Sequence, residues 1–489
     1  MNNILRQIKR KYKIEYILLT LILFVGFIVR LYRINNPIAD WHSWRQADTA
    51  SVSKVFVQRG INLLFPRYHD ISSIQSGIFN PEGLRMVEFP LFNLVHALLA
   101  KTFPFLSLEV WGRLVSIFSG ILSAYLIFQI GKRFISLWGG VLAAFFFTFI
   151  PFNIYFSRVI LPEPFAQLFA LLSLWFFVLY IDKDKTHFLY LSGISLSLSL
   201  LVKPFTFFYI IPMAYLIQEK HKFSEILQKS KLFINLLIFI DLVIVPFLLW
   251  RHWINKFPEG IPFFTWAFNG DRIRFRPAFW RWIFGERLGR LILGIWGLIP
   301  LSFGIITKKK SYFTLSFFAG ALIYLTVFAT ASVRHDYYQI FVIPSISLLL
   351  AEGGLYLWKL KCLNLWLSRS LFIFSVILMM GMGTYQIKEF YKVNHPEIIL
   401  AGQEVDRITP KDALVIAPYN GDTAFLYQTN RWGWPAIDDS IDNLIKRGAS
   451  YYVSVDLGSA DTKMLALRFE TIVLDANYII IDLHKLKKK

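Results

Sequence analysis

Long apolar runs recur through the first four-fifths of this chain, and nothing else limits its folding as severely. The first spans Tyr16 to Val29; others lie near 110–131, 135–156, 161–181, 188–202, 204–218, 232–252, 288–306, 312–330, 338–358 and 366–386. A bilayer core is about 30 Å thick, and a straight helix needs about 20 apolar residues to cross it. Inside that core the backbone has no water to bond, so a spanning run must be helical. Eleven such runs predict a polytopic α-helical membrane protein. Composition agrees: 55% of the 489 residues are hydrophobic and 17% charged, too few polar groups for a soluble enzyme of this length.

The short basic connections set the topology. Lys132-Arg133, Lys183 with Lys185, Lys220 with Lys222, Lys308-Lys309-Lys310 and Lys359 with Lys361 belong on the cytoplasmic side, as do Arg6, Lys9, Arg10 and Lys11. Eleven spans place every cluster inside and the C-terminal tail outside. One more run, 89–106, would invert all later clusters if it crossed. It carries His96, Lys101 and two prolines and reads as an interfacial helix on the outer face. Three polar stretches then face outward: 35–109, 251–287 and Arg334 to Tyr338. The first run lacks a small-residue cleavage site and reads as an uncleaved span. Cys362 is the only cysteine, which excludes a disulfide framework and a thiolate metal cluster.

Charge divides the chain into two expected domains. Residues 1–394 carry a net +22 and residues 395–489 a net −2. A transmembrane module over 1–390 is therefore expected to bear a soluble extracytoplasmic α/β domain over 395–489. The sequence pI near 9.8 is met by cytoplasmic lysines, so no nucleic-acid partner is expected. In the tail, 412–417 and 450–455 read as buried strands, 441–447 as a helix, and 471–474 with 478–482 as a hairpin. Trp432 and Trp434 lie in an aromatic loop suited either to an acceptor sugar or to closing a small core. Lys485 to Lys489 reads as a solvated end.

Several cations stand on the side where positive charge is disfavoured. Segment 251–290 holds eight Lys/Arg, among them Arg272 and Arg274, against three acids, with Phe275, Phe279, Trp280, Trp282 and Phe284 interleaved. Snorkelling arginines in an aromatic belt explain this, and so does a site for an anionic headgroup. Arg158, shortly before Leu161-Pro162-Glu163-Pro164, and Lys203-Pro204 lie at outer span ends. Ionisable groups there are functional candidates, with an Arg158–Glu163 pair as the structural alternative.

The first outer loop supplies carboxylates. In Asp40 to Ala50, Asp40 is placed to cap a helix starting at Trp41. Trp41, Trp44 and Asp48 share one face of that helix, and His42, Arg45 and Thr49 another. An Asp48–Arg45 pair is the structural alternative. Glu88-Phe89-Pro90 ends the loop. His42, His69 and the acids match no metal signature, and no Gly-rich phosphate loop or nucleophile elbow is present.

These pieces resemble the GT-C superfamily of integral-membrane glycosyltransferases, in particular bacterial members related to protein O-mannosyltransferases and to lipid A aminoarabinose transferase (glycosyltransferase family 39-like). The resemblance rests on Asp40 to Ala50, Glu88-Phe89-Pro90, Arg158 with Leu161 to Pro164, Lys203-Pro204, and Arg334 to Tyr338, and covers about residues 10–390. It implies a catalytic acid at Asp40 or Asp48, a further acid at Glu163, and lipid-phosphate contacts from Arg272 and Arg274. Arg45, Glu88, Arg158, Lys203, His335 and Tyr337 fall on the same motifs and join the donor-binding candidates. Two departures stand out. Phe89 replaces the lysine of the relatives' Glu-Lys-Pro, and Asp40 and Asp48 lie eight apart where relatives have adjacent acids.

The expected activity is transfer of a sugar, hexosyl or pentosyl, from a polyprenyl-phosphate donor to a hydroxyl of a protein, lipid or glycan. It takes place at the outer face of the cell membrane, among membrane lipids, by inversion. Guanidinium groups serve where a metal otherwise would, so no cofactor is required, and divalent-metal dependence stays open. The alternative is a transporter or flippase of lipid-linked anions. It calls for charge along a crossing path, whereas Asp241 and Glu352 are nearly the only acids within apolar runs.

Overall fold

The computed structural model describes residues 2–221, 228–309, 311–360 and 364–487, with side chains from residue 14 onward. Lys222, Lys310, Lys361, Cys362, Lys488, Lys489 and the side chains of Arg6 to Lys11 lie outside the described residues. Five described helices are long and apolar enough to cross a membrane: Leu108–Phe134, Glu163–Lys183, Ser230–Ile254, Asp336–Lys359 and Leu365–Tyr391. The first apolar run lies within the helix Asn2–Arg30.

The other expected spans are helical but shorter or broken, and the breaks have local causes. The run at 135–156 divides at Pro151 into Leu137–Phe149 and Pro151–Phe156, because proline has no N–H to continue the ladder. Pro204 opens a 3₁₀ turn to Tyr209 before the helix Ile210–Lys220. The run at 288–306 is split between Arg281–Ile292, a wide π-type helix, and Leu298–Ile306, with Gly294 and Ile295 both in the left-handed region between them. The helix expected inside 89–106 is Leu91–Thr102. Its 12 residues rise about 18 Å, too little for a crossing.

The chain folds as two compact units, and the partition differs from a cut near residue 390. One unit comprises 1–34, 114–249 and 264–389; the other comprises 35–113, 250–263 and 390–489. The stretch 35–113 therefore folds with the C-terminal residues.

The helical unit relies on small residues and satisfied polar groups. A Cβ at Gly353 would meet the Pro300 carbonyl at 1.8 Å, and one at Gly304 the Leu349 carbonyl at 2.0 Å. Leu298–Ile306 and Ile343–Lys359 thus cross backbone to backbone, a contact that only glycine permits. Helices Glu163–Lys183 and Thr186–Val202 form a hairpin joined by Ser173 and Ser192, each donating to the other's carbonyl. Arg30 is fully buried and donates to Ser157 Oγ at 2.7 Å, Gly26 O at 2.9 Å and Thr148 O at 3.0 Å. Those bonds replace the water its charge loses.

The second unit is built on a mixed five-stranded sheet. β1 (Leu414–Ile416) runs parallel to β2 (Trp432–Trp434) and to β3 (Ala449–Ser454); β5 (Ile479–Leu486) is antiparallel to β3 and to β4 (Phe469–Leu474). The order is β2-β1-β3-β5-β4. The expected strands, the helix Ile441–Lys446 and the closing hairpin are all present. Residues 69–71 extend the β2 edge: Ile71 N donates to Gly433 O at 2.9 Å, and Gly433 N to His69 O at 3.0 Å. Gly433 is required there, since a Cβ would lie 1.8 Å from the Val415 carbonyl.

Candidate functional site

The candidate residues form one cluster in each unit. In the second unit the helix Ser43–Arg59 carries the first motif, and residues 45–53 are buried without interruption. A helix enclosed on all sides can present polar groups only to partners that satisfy them. His42 is in the left-handed conformation, so the helix begins at Ser43 and Asp40 is not its cap. This corrects the expected start at Trp41. The buried Asp40 carboxylate instead accepts from Gln46 Nε2 at 2.6 Å.

Asp48 is engaged on both oxygens. Oδ2 accepts from Arg85 at 2.8 Å and from Gln75 at 3.3 Å, while Oδ1 accepts from the Thr423 hydroxyl at 2.7 Å. Arg85 also lies 5.2 Å from the Tyr68 ring centre and donates to Gln75. The expected Asp48–Arg45 pair does not form; Arg45 pairs with Glu88. Beside this knot, Asp422 accepts from Ala424 N at 2.7 Å and Ser43 Oγ at 3.1 Å, and burial raises its pKa to about 6. Burial raises Asp70 to about 6 as well, and lowers His69, 2.5 Å from Ser51 Oγ, to about 3.

The two tail tryptophans separate. Trp434 is completely buried in the core of the sheet with Ile416, Leu444 and Tyr452, which corrects its assignment as an acceptor contact. Trp432 is half-buried, with the Arg59 guanidinium 4.2 Å from its ring centre. It lines a pocket of about 760 Å³ with Arg67, His69 and Lys411. Arg431, between them in sequence, is a structural group: it is fully buried and bonds Asp406 at 2.6 Å and the Pro410 carbonyl at 2.7 Å.

In the helical unit Glu163 opens its helix, and Lys203 ends the next one. The hairpin brings them to 3.0 Å, with side-chain exposures of 0% and 7%. Lys203 also lies 5.8 Å from the Phe205 ring centre and 5.7 Å from that of Tyr338. Arg158, fully buried, donates to the Arg33 carbonyl at 2.7 Å. Lys203 therefore faces the Glu163 carboxylate.

The second basic stretch packs beside residues 327–338. Arg274 donates to the Val327 carbonyl at 2.9 Å, Asp271 meets Arg334 at 3.6 Å, and Trp266 lies edge-on to His335. His335 stacks on the buried Tyr337 at 5.6 Å. Phe205, Phe328 and Phe268 follow at 4.2 and 4.9 Å, a file of rings running from Lys203 toward the Arg274 segment. Arg272 is exposed, in a left-handed turn. Sequence reading missed Arg85, Gln75 and Thr423 around Asp48, and the Arg287–Asp336 contact at 3.6 Å. Only Arg287 and Asp336 fell within motifs already marked. Among the described residues no three His, Cys, Asp or Glu side chains gather as a metal-ligand set.

Residues 88–250 match the family described as dolichyl-phosphate-mannose-protein mannosyltransferase. No curated protein sequence matches the chain. Among solved structures, ArnT from Cupriavidus metallidurans bound to undecaprenyl phosphate aligns over 95% of this chain and 97% of its own, at 13% identity and a TM-score of 0.61. The Archaeoglobus fulgidus oligosaccharyltransferase aligns over 90% of this chain and 70% of its own, at 11% identity and a TM-score of 0.60. The mycobacterial arabinofuranosyltransferase AftD aligns over 95% of this chain and 41% of its own, at 12% identity and a TM-score of 0.52. At such identities the likeness is one of fold. The chain thus has the fold of the GT-C superfamily of integral-membrane glycosyltransferases, and its residues 88–250 match one of that superfamily's families.

Proposed function

We propose that the protein transfers a sugar from a polyprenyl-phosphate-linked donor to an acceptor hydroxyl at the outer membrane surface, with inversion at the anomeric carbon. The acceptor oxygen attacks that carbon as its proton passes to a carboxylate, and the bond to the lipid phosphate breaks on the opposite side. Asp40 is the base. Asp48 has both oxygens engaged by Arg85, Gln75 and Thr423, which supports a positioning role for it. Lys203, Arg272 and Arg274 stabilise the charge returning to the phosphate, and Glu163 orients Lys203. Arg158, His335 and Tyr337 belong to the donor side, Arg45 and Glu88 support the loop that carries Asp40, and Trp432 contacts the acceptor.

The observation that carries this reading is the sealed Glu163–Lys203 pair. Packed apolar residues often match or exceed a buried ion pair in stability, and ionisable groups within membrane segments mark function. The test is transfer of label from a radioactive polyprenyl-phosphate sugar pool to a crude lipid and protein acceptor extract. Purified wild type, Asp40→Asn and Asp48→Asn are compared in liposomes. Transfer by the wild type, lost in Asp40→Asn while donor still binds, supports the proposal. A wild type that carries the labelled lipid across the bilayer and never passes label to an acceptor identifies a transporter.

A further inference from the structure

The helical unit contains a pocket, lined by both charged and apolar side chains, which the proposed reaction does not use. It measures about 540 Å³ and lies where the helices Leu108–Phe134, Leu298–Ile306 and Ile343–Lys359 end. Its floor is already neutral. Lys309 donates to Glu352 and, at 2.7 Å, to the Gly304 carbonyl, while Thr314 donates to the other Glu352 oxygen at 3.0 Å.

Two lining cations remain. Lys308 and Lys359 are exposed at the rim, and neither has a carboxylate partner among the described residues. A lysine at a helix end is favourable on its own through the helix dipole. Two of them around one cavity repel each other, and an anion between them relieves that repulsion. The walls show what else the anion carries. Phe134, stacked on Phe313 at 3.8 Å, and Tyr356, beside Phe303 at 5.7 Å, give the pocket an aromatic flank. A free inorganic ion makes no use of such a flank, whereas a lipid does.

We infer that this pocket binds the phosphodiester headgroup of an anionic glycerophospholipid, with Lys308 and Lys359 on the phosphate and Phe134 and Tyr356 along its glycerol and acyl portion. Basic pockets between membrane helices recognise such headgroups by this combination of charge and apolar wall. The site is independent of sugar transfer.

The experiment is native mass spectrometry of the purified full chain from nanodiscs containing phosphatidylcholine with 20% phosphatidylglycerol. Wild type is compared with Lys308→Gln/Lys359→Gln, and with Lys183→Gln/Lys185→Gln as a control that removes equal charge from another short basic connection. All four side chains are at or near the surface, so folding is preserved. At about fivefold per lysine near the surface, the first variant should lose phosphatidylglycerol affinity by about thirtyfold, with the control unchanged. Millimolar inorganic phosphate should not displace the lipid. Equal retention by wild type and the first variant overturns the inference. So does an equal loss in the control, which would show diffuse attraction, or displacement by inorganic phosphate, which would show a soluble-anion site.

Discussion

Replacing Asp48 with asparagine separates a structural carboxylate from a catalytic one. The change keeps the size of the side chain but removes the charge facing Arg85, whose guanidinium is 8% exposed and whose carboxylate partner is completely buried. Breaking a buried pair from one side costs about 3–5 kcal/mol, because the remaining charge stays out of water. Asparagine keeps one oxygen for Thr423, so the lower end, about 3 kcal/mol, is expected. In a unit of this size each kcal/mol lowers Tm by about 2–4 °C, giving a fall of about 6–12 °C. In Asp40→Asn the side-chain carbonyl still accepts from Gln46. Loss of a general base should cost it a factor of about 10²–10⁴ in transfer. Intrinsic tryptophan fluorescence on heating and the label-transfer assay read the two effects on the same samples. The reasoning is refuted if Asp48→Asn melts with the wild type, or abolishes transfer while Asp40→Asn remains active.

Three other perturbations have defined outcomes. Glu163→Gln removes the carboxylate facing Lys203 in the hairpin and should cost about 3–5 kcal/mol; Glu163→Gln/Lys203→Met should recover a monodisperse protein by size exclusion yet transfer no sugar. Transfer by that double variant would remove both residues from the mechanism. Burial lowers His69 to about 3, so the unfolded chain takes up its proton first, and stability present above pH 6.5 is lost as pH falls. Between pH 7.5 and 5.5 that loss is about 1.4 kcal/mol, while Asp70 and Asp422, raised to about 6, bind protons in the folded state and return about 0.8 kcal/mol each. His69→Asn should therefore gain about 1.4 kcal/mol relative to the parent on acidification, read as Tm against pH; parallel curves would contradict it. Gly353→Val should force the helices Leu298–Ile306 and Ile343–Lys359 apart and cost about 3 kcal/mol or more, whereas Gly381→Ala, with open space around its Cβ, should be neutral in the same thermal assay.

The sequence made legible what depends on periodicity and punctuation. Apolar runs gave helices, Lys203-Pro204 marked one division while the break at Pro151 was read through, and the segments around 450–455 and 478–482 gave strands, the latter in the expected hairpin with 471–474. Pairings across long separations were not legible. Nothing near Asp48 announces Thr423, 375 residues away, and the nearby Arg45 was a false lead because helix geometry directs it to Glu88. Glu163 and Lys203 were both marked, but their union depends on a hairpin of two helices, which spacing along the chain does not announce. Trp432 and Trp434, two residues apart on a strand, share one face and pack against the same core; that Trp434 is sealed there while Trp432 stays half-buried is settled by the sheet and not by their own chemistry.

The sheet-bearing unit is threaded from three separated pieces of chain, and this has a consequence for its synthesis. Arg113 and Phe390 bound two of those pieces, with 276 residues between them. At about 5–20 residues per second, the ribosome needs roughly a quarter of a minute to a minute to cover that distance. Throughout that interval Asp48 has Arg85 but not Thr423, and residues 69–71 have no β2 edge to extend. The loop that carries the proposed base is therefore made early and completed last. Premature termination before the final hundred residues would leave a membrane-inserted chain whose first loop cannot mature, although every motif residue in that loop is present.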